Sequence, residues 1–238
     1  MKKQWRYEKK YFINYSEYEY TRRRLLELAR QDENTIEKRG YNVRSLYFDD
    51  MYNTAYREKE DGVEVRHKYR IRIYNGSDKM IRLEKKEKQG EFNHKQSLII
   101  TKEEFYKIIN NENIDFLLNS QKSIGRAFYI EIKTKLLKPA VIVEYEREAF
   151  IIHEGNVRIT FDKQLNAGIG TYDIFDESMI RINVMEPNQM ILEVKYDNFC
   201  PKIVSKALNL SRNTRSSYSK FIYCMNAMRQ ANFRGNII

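Results

Sequence analysis

Apolar and charged residues alternate with a period of two through much of this chain, most sharply at Lys68-Tyr69-Arg70-Ile71-Arg72-Ile73-Tyr74. Side chains two apart on an extended strand share a face, so this stretch predicts a strand with Tyr69, Ile71 and Ile73 on one side and Lys68, Arg70 and Arg72 on the other. One such strand is ordinary in an antiparallel sheet with a wet face. Its repetition is what carries information. Arg6 to Ile13 places Glu8 and Lys10 opposite Tyr7, Lys9 and Tyr11, and Met80 to Lys88 places Arg82, Glu84, Lys86 and Lys88 on one side. Phe92 to Ile100 sets Asn93, Lys95 and Ser97 against His94, Gln96 and Leu98. Val157 to Asp162 turns Arg158, Thr160 and Asp162 away from three apolar residues. Gln189 to Tyr196 groups Ile191 with Glu193 and Lys195. Val43 to Asp50 is rich in strand formers, with Arg44 a candidate for a charged interior. In Ala140 to Phe150 alternation leaves the inner face open between Val141, Val143, Tyr145 and Arg147 and the set Ile142, Glu144, Glu146 and Glu148.

Turns and helices fill the gaps. Asn75-Gly76 is a hairpin turn, Gln89-Gly90-Glu91 and Glu154-Gly155-Asn156 are further turns, and Met51-Tyr52-Asn53 reads as a turn or short helix. A helix is expected over Ser16 to Gln31 with Ser16 as its N-cap and Arg22, Arg23 and Arg24 on a solvated face. Thr101 to Glu104 forms a capping box before a helix with Phe105, Ile108 and Ile109 on its apolar stripe. Ser120 to Leu137 is expected to be helical, with Glu131 and Lys133 exposed and Pro139 ending it. Lys202 to Leu210 reads as helix, Ser211 to Thr214 as loop, and Ser216 to Arg229 as a last helix whose Phe221, Ile222, Met225 and Met228 belong to the core.

Composition narrows the field. The 238 residues carry 43 Lys and Arg against 33 Asp and Glu, a net +10, and the pI of about 9.4 suits a polyanionic partner such as nucleic acid, a membrane surface or a phosphorylated small molecule. Length, few prolines and the lack of a linker or repeat predict a single domain over residues 1–238. Cys200 and Cys224 are separate and without nearby ligand partners, which argues against a disulfide framework or zinc site. His67, His94 and His153 are likewise ungrouped, and His94 reads as a surface residue or one supporting the site from behind. The absence of a signal-like or membrane-length apolar run predicts a cytoplasmic protein with no membrane span.

Strands with one apolar and one cationic face, combined with amphipathic helices, predict an α+β fold: an antiparallel sheet closed on itself, helices packed outside, charges turned inward. Buried like charges persist only around a counter-ion or in water. Such an interior suits phosphate groups, and Glu8 and Glu193 can hold a divalent cation that bridges phosphate oxygens. The chemistry this favours is phosphoryl transfer, driven by positioning and charge neutralisation. No Gly-rich phosphate loop, kinase signature or nucleophilic Ser/His/Asp grouping is present. Removing Arg70 or Arg72 is expected to abolish activity at little cost in stability, because inward like charges repel.

Taken in order, Arg6-Tyr7-Glu8-Lys9-Lys10-Tyr11, Tyr69-Arg70-Ile71-Arg72, Leu83-Glu84-Lys85-Lys86, Glu144-Tyr145-Glu146-Arg147, Val157 to Asp162, Leu192-Glu193-Val194-Lys195 and Ser219-Lys220-Phe221 resemble the VTC domain of polyphosphate polymerases, within the triphosphate tunnel (CYTH-like) superfamily. The resemblance implies an antiparallel β-barrel forming a triphosphate tunnel, and an enzyme that transfers the terminal phosphate of ATP to a growing polyphosphate chain or pyrophosphate primer and releases ADP, using Mn2+ or Mg2+. It implies Arg70, Arg72, Lys86, Arg158 and Lys195 as catalytic cations, and Lys10, Lys95, Arg147 and Lys220 as further phosphate ligands. Glu193 would be the metal ligand and Glu8 a second one, and Arg147 would point inward. No specific nucleic-acid partner is expected. Triphosphatases of the superfamily carry Glu-x-Glu pairs where this chain has Glu8 followed by Lys10. That shortage of acids favours transfer over hydrolysis, leaving a triphosphatase and a non-catalytic polyphosphate or nucleic-acid binding module as alternatives.

Overall fold

The alternation seen in the sequence becomes a sheet that bends round and meets itself. The structure, a computed structural model, describes residues 5–32, 40–209 and 216–235. Its strands are β1 (Arg6–Asn14), β2 (Arg30–Gln31), β3 (Tyr41–Asp49), β4 (Val65–Tyr74), β5 (Ser77–Gln89), β6 (Phe92–Ile100), β7 (Lys138–Ile152), β8 (Val157–Ile169), β9 (Ile180–Asn183) and β10 (Gln189–Tyr196). The helices are α1 (Tyr15–Leu28), α2 (Thr54–Glu60), α3 (Lys102–Ile109), α4 (Ser123–Lys135), α5 (Lys202–Ala207) and α6 (Lys220–Gly235). Sheet order is β2-β7-β3-β4-β5-β6-β1-β10-β8-β9, and an additional β7–β8 pairing closes eight of these strands into a ring. All the pairings are antiparallel.

Register carries the inward face from strand to strand, because residues directly opposite in a ladder point the same way. Lys68 lies opposite Lys86 and Lys86 opposite Lys95, while Arg70 pairs with both Glu84 and Tyr47. On the far wall Glu8 pairs with Lys195 and Lys195 with Arg158, and Arg147 lies opposite Asp162. The seam between β1 and β6 is short, with only Arg6–Asn93 and Tyr7–Phe92 in register. There the ion pair from Lys86 to Glu8 at 2.7 Å spans the join.

Outward faces build separate apolar clusters. Tyr69, Ile71, Ile81 and Leu83 pack under α3 and α4 around Phe105 and Phe128, all nearly inaccessible. Phe150, Phe161, Leu192 and Val194 pack against Tyr18 and Leu25 of α1 and Val204 of α5. Burying each such side chain contributes about 1.5–3 kcal/mol. α6 has a different seat. Phe221, Ile222 and Met225 meet Val43, Val141, Val143 and Ile191, which share the ring's inward face with the cationic positions, so this helix covers an apolar section of that face. The last helix thus supplies core, as its pattern predicts.

Local departures from expectation have simple causes. Helix α1 starts a residue before Ser16, because Asn14 is the cap: its side chain accepts from the Glu17 amide and Glu17 returns a bond to the Asn14 amide. The chain after Leu28 leaves the helix, and Arg30 and Gln31 join β7 as the edge strand β2. Arg22 is not merely solvated, since its Nε donates to Glu148 at 2.8 Å. A short helix, α2, follows the turn at Met51 and Tyr52. Helix α4 ends at Leu136, which takes a left-handed conformation at φ 54°, and not at Pro139. Pro139 lies inside β7, next to a bulge where a missing N–H is tolerated. Glu131 is half-buried, not exposed: His67 Nε2 lies 2.9 Å from it and the Tyr69 hydroxyl donates at 3.0 Å. Ser216 to Ser219 are not helical, so α6 begins at Lys220. β8 runs on to Ile169 and pairs with β9, an element without a clear alternation of its own. The Ser211 to Thr214 loop and Leu210 lie outside the described residues.

Candidate active site: a cationic cavity inside the ring

The ring encloses a cavity of about 1020 Å3, and all eleven residues singled out by the resemblance line it. Among the described residues its lining holds thirteen lysines and arginines against two carboxylates, Glu8 and Glu193. β4 contributes Lys68, Arg70 and Arg72 because its opposite face is fixed in the apolar core by Tyr69, Ile71 and Ile73. β1 contributes Glu8 and Lys10, β10 Glu193 and Lys195, and the start of α6 contributes Lys220. Arg147 points inward from β7, which resolves the ambiguity of that strand. The backbone entering β3 approaches it closely: Gly40 has φ 123°, and a Cβ there would run into the Arg147 carbonyl.

Most of the cations are held by acids. Glu84 is fully buried and accepts from Arg70 Nε at 2.7 Å and from Lys95 Nζ at 2.6 Å. Asp162 accepts from Arg147 Nε at 2.6 Å and Nη2 at 2.8 Å and pairs with Lys220. Lys86 donates to both oxygens of Glu8, and Lys10 lies 3.3 Å from Glu8 and 3.7 Å from Glu193. Arg158, nearer the rim with its side chain 35% exposed, pairs with buried Asp32 at 2.6 Å and donates to the Tyr41 hydroxyl. Lys195 lies 2.6 Å from Glu193 Oε1 as a charge neighbour, yet that buried oxygen accepts no hydrogen bond. Two cations differ. Arg72 is 5% exposed and donates only to the Ser45 and Tyr145 hydroxyls, and Lys68 contacts aromatic rings. Among the described residues neither forms an ion pair.

Crowded charge moves the ionisation of these groups. Burial opposes ionisation of Glu8 and Glu193, yet the surrounding lysines, joined at Glu193 by Arg147, hold both carboxyls well below the usual range. Burial, reinforced by Lys10 and Lys195 against the pull of Glu8, lowers the Lys86 ammonium to about 8. The Tyr47 phenol, despite burial, is pulled down to about 7 by Arg70, Lys68 and Arg72. All three shifts follow from many cations sharing few acids.

Among the described residues no group of three or more His, Cys, Asp or Glu is placed to hold a metal ion. Glu8 and Glu193 are neighbours on adjacent strands, with Lys195 3.6 Å from the one and 2.6 Å from the other. Two carboxylates with one unbonded buried oxygen suit a hard cation that takes its other ligands from phosphate oxygens and water.

Sequence reasoning missed several lining residues. Lys68 stands two before Arg70 and shares its face, so alternation alone could have included it. Glu84 and Asp162 lay in quoted motifs without an assigned role. Tyr47 and Tyr145 carried no signal, because apolar-looking positions on an inward face are visible only once the ring closes. Arg44, the candidate for the charged interior, is buried on the outward face instead, donating to Glu144 and to the Ile174 carbonyl. A second cavity of about 390 Å3 adjoins the first, sharing Lys10, Lys68 and Lys86 and adding Lys59, Arg66 and Lys88. Among the described residues no helix is long and apolar enough to cross a membrane.

One family model and several solved structures are similar to this chain. The VTC domain family model matches residues 5–229. A candidate adenylate cyclase from Vibrio parahaemolyticus has a similar fold, with a TM-score of 0.50 and 9% identity over 93% of this chain and 98% of that one. The PH1819 protein of Pyrococcus horikoshii OT3 aligns at TM-score 0.47 and 12% identity over 93% of this chain and 99% of that one. The Mimivirus capping enzyme triphosphatase aligns at 0.40 and 15% identity over 88% and 89%. Among curated protein sequences none matches.

Proposed function

The chain belongs to the VTC domain family, and from that premise we propose that it is a polyphosphate polymerase, transferring the terminal phosphate of ATP to an inorganic polyphosphate or pyrophosphate acceptor and releasing ADP. The observation that carries this reading is that buried Arg72 and half-buried Lys68 have no acid partner among the described residues, in a cavity already crowded with positive charge. Each stands next to Arg70 on the inward face of β4, and a row of cations short of acids favours a multiply charged anion. Arg70, Arg72, Lys86, Arg158 and Lys195 would bind donor and acceptor phosphates and align them, and Lys10, Lys95, Arg147 and Lys220 would hold flanking phosphates. Phosphoryl transfer is catalysed mostly by such positioning and charge neutralisation. Glu193, with Glu8, would hold Mn2+ or Mg2+, which when bound supplies positive charge to phosphate oxygens. Glu84 and Asp162 have every carboxylate oxygen taken by Arg and Lys, as Glu8 has by Lys86, so the orphaned buried oxygen of Glu193 is what singles that residue out as the main metal ligand. A cavity lined, among the described residues, by two acids gives a water nucleophile little help, which favours transfer over hydrolysis.

The test is incubation of the purified protein with ATP, Mn2+ and pyrophosphate, reading products on a gel and ADP by chromatography. A ladder of polyphosphate with matching ADP is expected. Release of free phosphate alone would replace the polymerase with a triphosphatase. Binding without turnover would leave a polyphosphate-binding module.

A further inference from the structure

Lys68 stands where the two cavities meet and lines both of them. Its Nζ lies 5.3 Å from the ring centre of Tyr47 and 5.2 Å from that of Phe221, so the ammonium is in contact with two aromatic faces. Aromatic faces attract a cation without neutralising it. The charged groups that face it are Tyr47 from β3, Lys86 from β5, Lys10 from β1 and Arg70 from its own strand, three of them cations. Among the described residues it forms no ion pair, and register places it directly opposite Lys86, whose own charge is answered by Glu8. A half-buried ammonium with cationic neighbours and no acid gains most in its charged form when an anion lies beside it. Every nearby carboxylate is already engaged by another lysine or arginine.

We propose that Lys68 is a phosphate-binding residue at the junction of the two cavities, contacting a linear oligophosphate that occupies the main cavity. The proposal rests on the reading of that cavity as an oligophosphate site. In the absence of the anion, burial and then Lys86, Lys10 and Arg70, opposed by Tyr47, push its ammonium down to about 7. An arriving phosphate reverses that shift, so binding takes up a proton. Above about pH 7 the affinity of the lysine form must therefore fall as pH rises, because an increasing share of the free protein has first to be protonated. The Tyr47 phenol, also near 7, adds a change of the same sign. An arginine at position 68 stays charged throughout and removes the lysine part of the decline.

The experiment is calorimetric titration of the intact protein with tripolyphosphate in EDTA at pH 7, repeated across about pH 6.5–8.5, with thermal melting as a control for folding. Lys68→Met should weaken binding about tenfold or more, the loss of one charge-assisted contact, and Lys68→Arg should stay within about threefold of wild type. The pH-dependent decline should be smaller in Lys68→Arg than in wild type. Wild-type affinity in a folded Lys68→Met protein, or an undiminished decline in Lys68→Arg, overturns the role of Lys68 alone. Failure of the wild-type protein to bind tripolyphosphate overturns the oligophosphate reading itself.

Discussion

The two faces of the ring use the same residue types in opposite ways. Outside, each buried acid gathers donors and fastens one element to another. Glu148, fully buried on β7, takes the Tyr18 hydroxyl at 2.6 Å, Arg22 Nε at 2.8 Å and Gln31 Nε2 at 3.1 Å, so α1 and β2 are pinned by one carboxylate. Glu131 fastens α4 to β4 through His67 and Tyr69, with Lys85 3.7 Å away, and Glu144 joins Arg44 to Arg181. Inside, Glu8, Glu84, Asp162 and Glu193 are also paired, but positive charge remains after every acid is engaged. Closed networks stabilise a native state, whereas leftover desolvated charge works against it until an anion binds. The contrast separates residues that hold the fold from residues that await a ligand.

The sharpest way to break that contrast is Glu193→Gln. Under the proposed function it should reduce Mn2+-dependent polymer formation about 100-fold or more while metal-free tripolyphosphate binding persists, as gel assay and calorimetry would register. Equal loss of both would make Glu193 a structural acid like Glu148. Next comes a difference between neighbours. Arg70→Ala leaves the buried Glu84 with Lys95 as its remaining close ion-pair partner and should lower unfolding free energy by of order 3 kcal/mol. Arg72→Ala removes a cation bonded only to hydroxyls and should leave stability near wild type while abolishing activity, as chemical denaturation and turnover would reveal. Sequence alone leads one to expect both changes to spare stability; the Arg70–Glu84 ion pair changes that prediction for Arg70 and leaves it as it was for Arg72.

Glu148→Ala should cost of order 3 kcal/mol in denaturation with no change in tripolyphosphate affinity, because its partners lie on the outward face. The smallest effect concerns acid. Burial works to raise the Glu131 carboxyl, but its hydrogen bond to His67 and the charges of His67, Lys135 and Lys85 hold it at about 2. A carboxyl whose pKa is lower in the folded than in the unfolded state contributes stability that is present above about pH 5 and lost as pH falls toward 2. Thermal melts of Glu131→Gln across that range should show a shallower decline than wild type. An identical slope would remove Glu131 from the set of closed outer networks.

How much of this was legible beforehand depended on the range of the interaction. Alternation in β4, β5, β8 and β10 declared which residues share a face, and the capping box at Thr101 and Glu104 declared the start of α3 with both of its bonds in place. Alternation could not say which face of β7 points inward, because both of its sets bury well: Tyr145 and Arg147 on one side, Glu144 and Glu148 on the other. Helix stripes for Glu131 and Arg22 suggested solvent because their partners, His67 and Glu148, are 64 and 126 residues away. The sequence by itself determined the strands, their cationic faces and the motif order, since these depend on backbone periodicity and residue type. Only the tertiary structure decided which acid answers which cation, that α6 covers part of the inner face, and that Arg72 and Lys68 are left without an ion pair among the described residues. Those outcomes depend on register and ring closure, which bring together side chains from strands far apart in the chain.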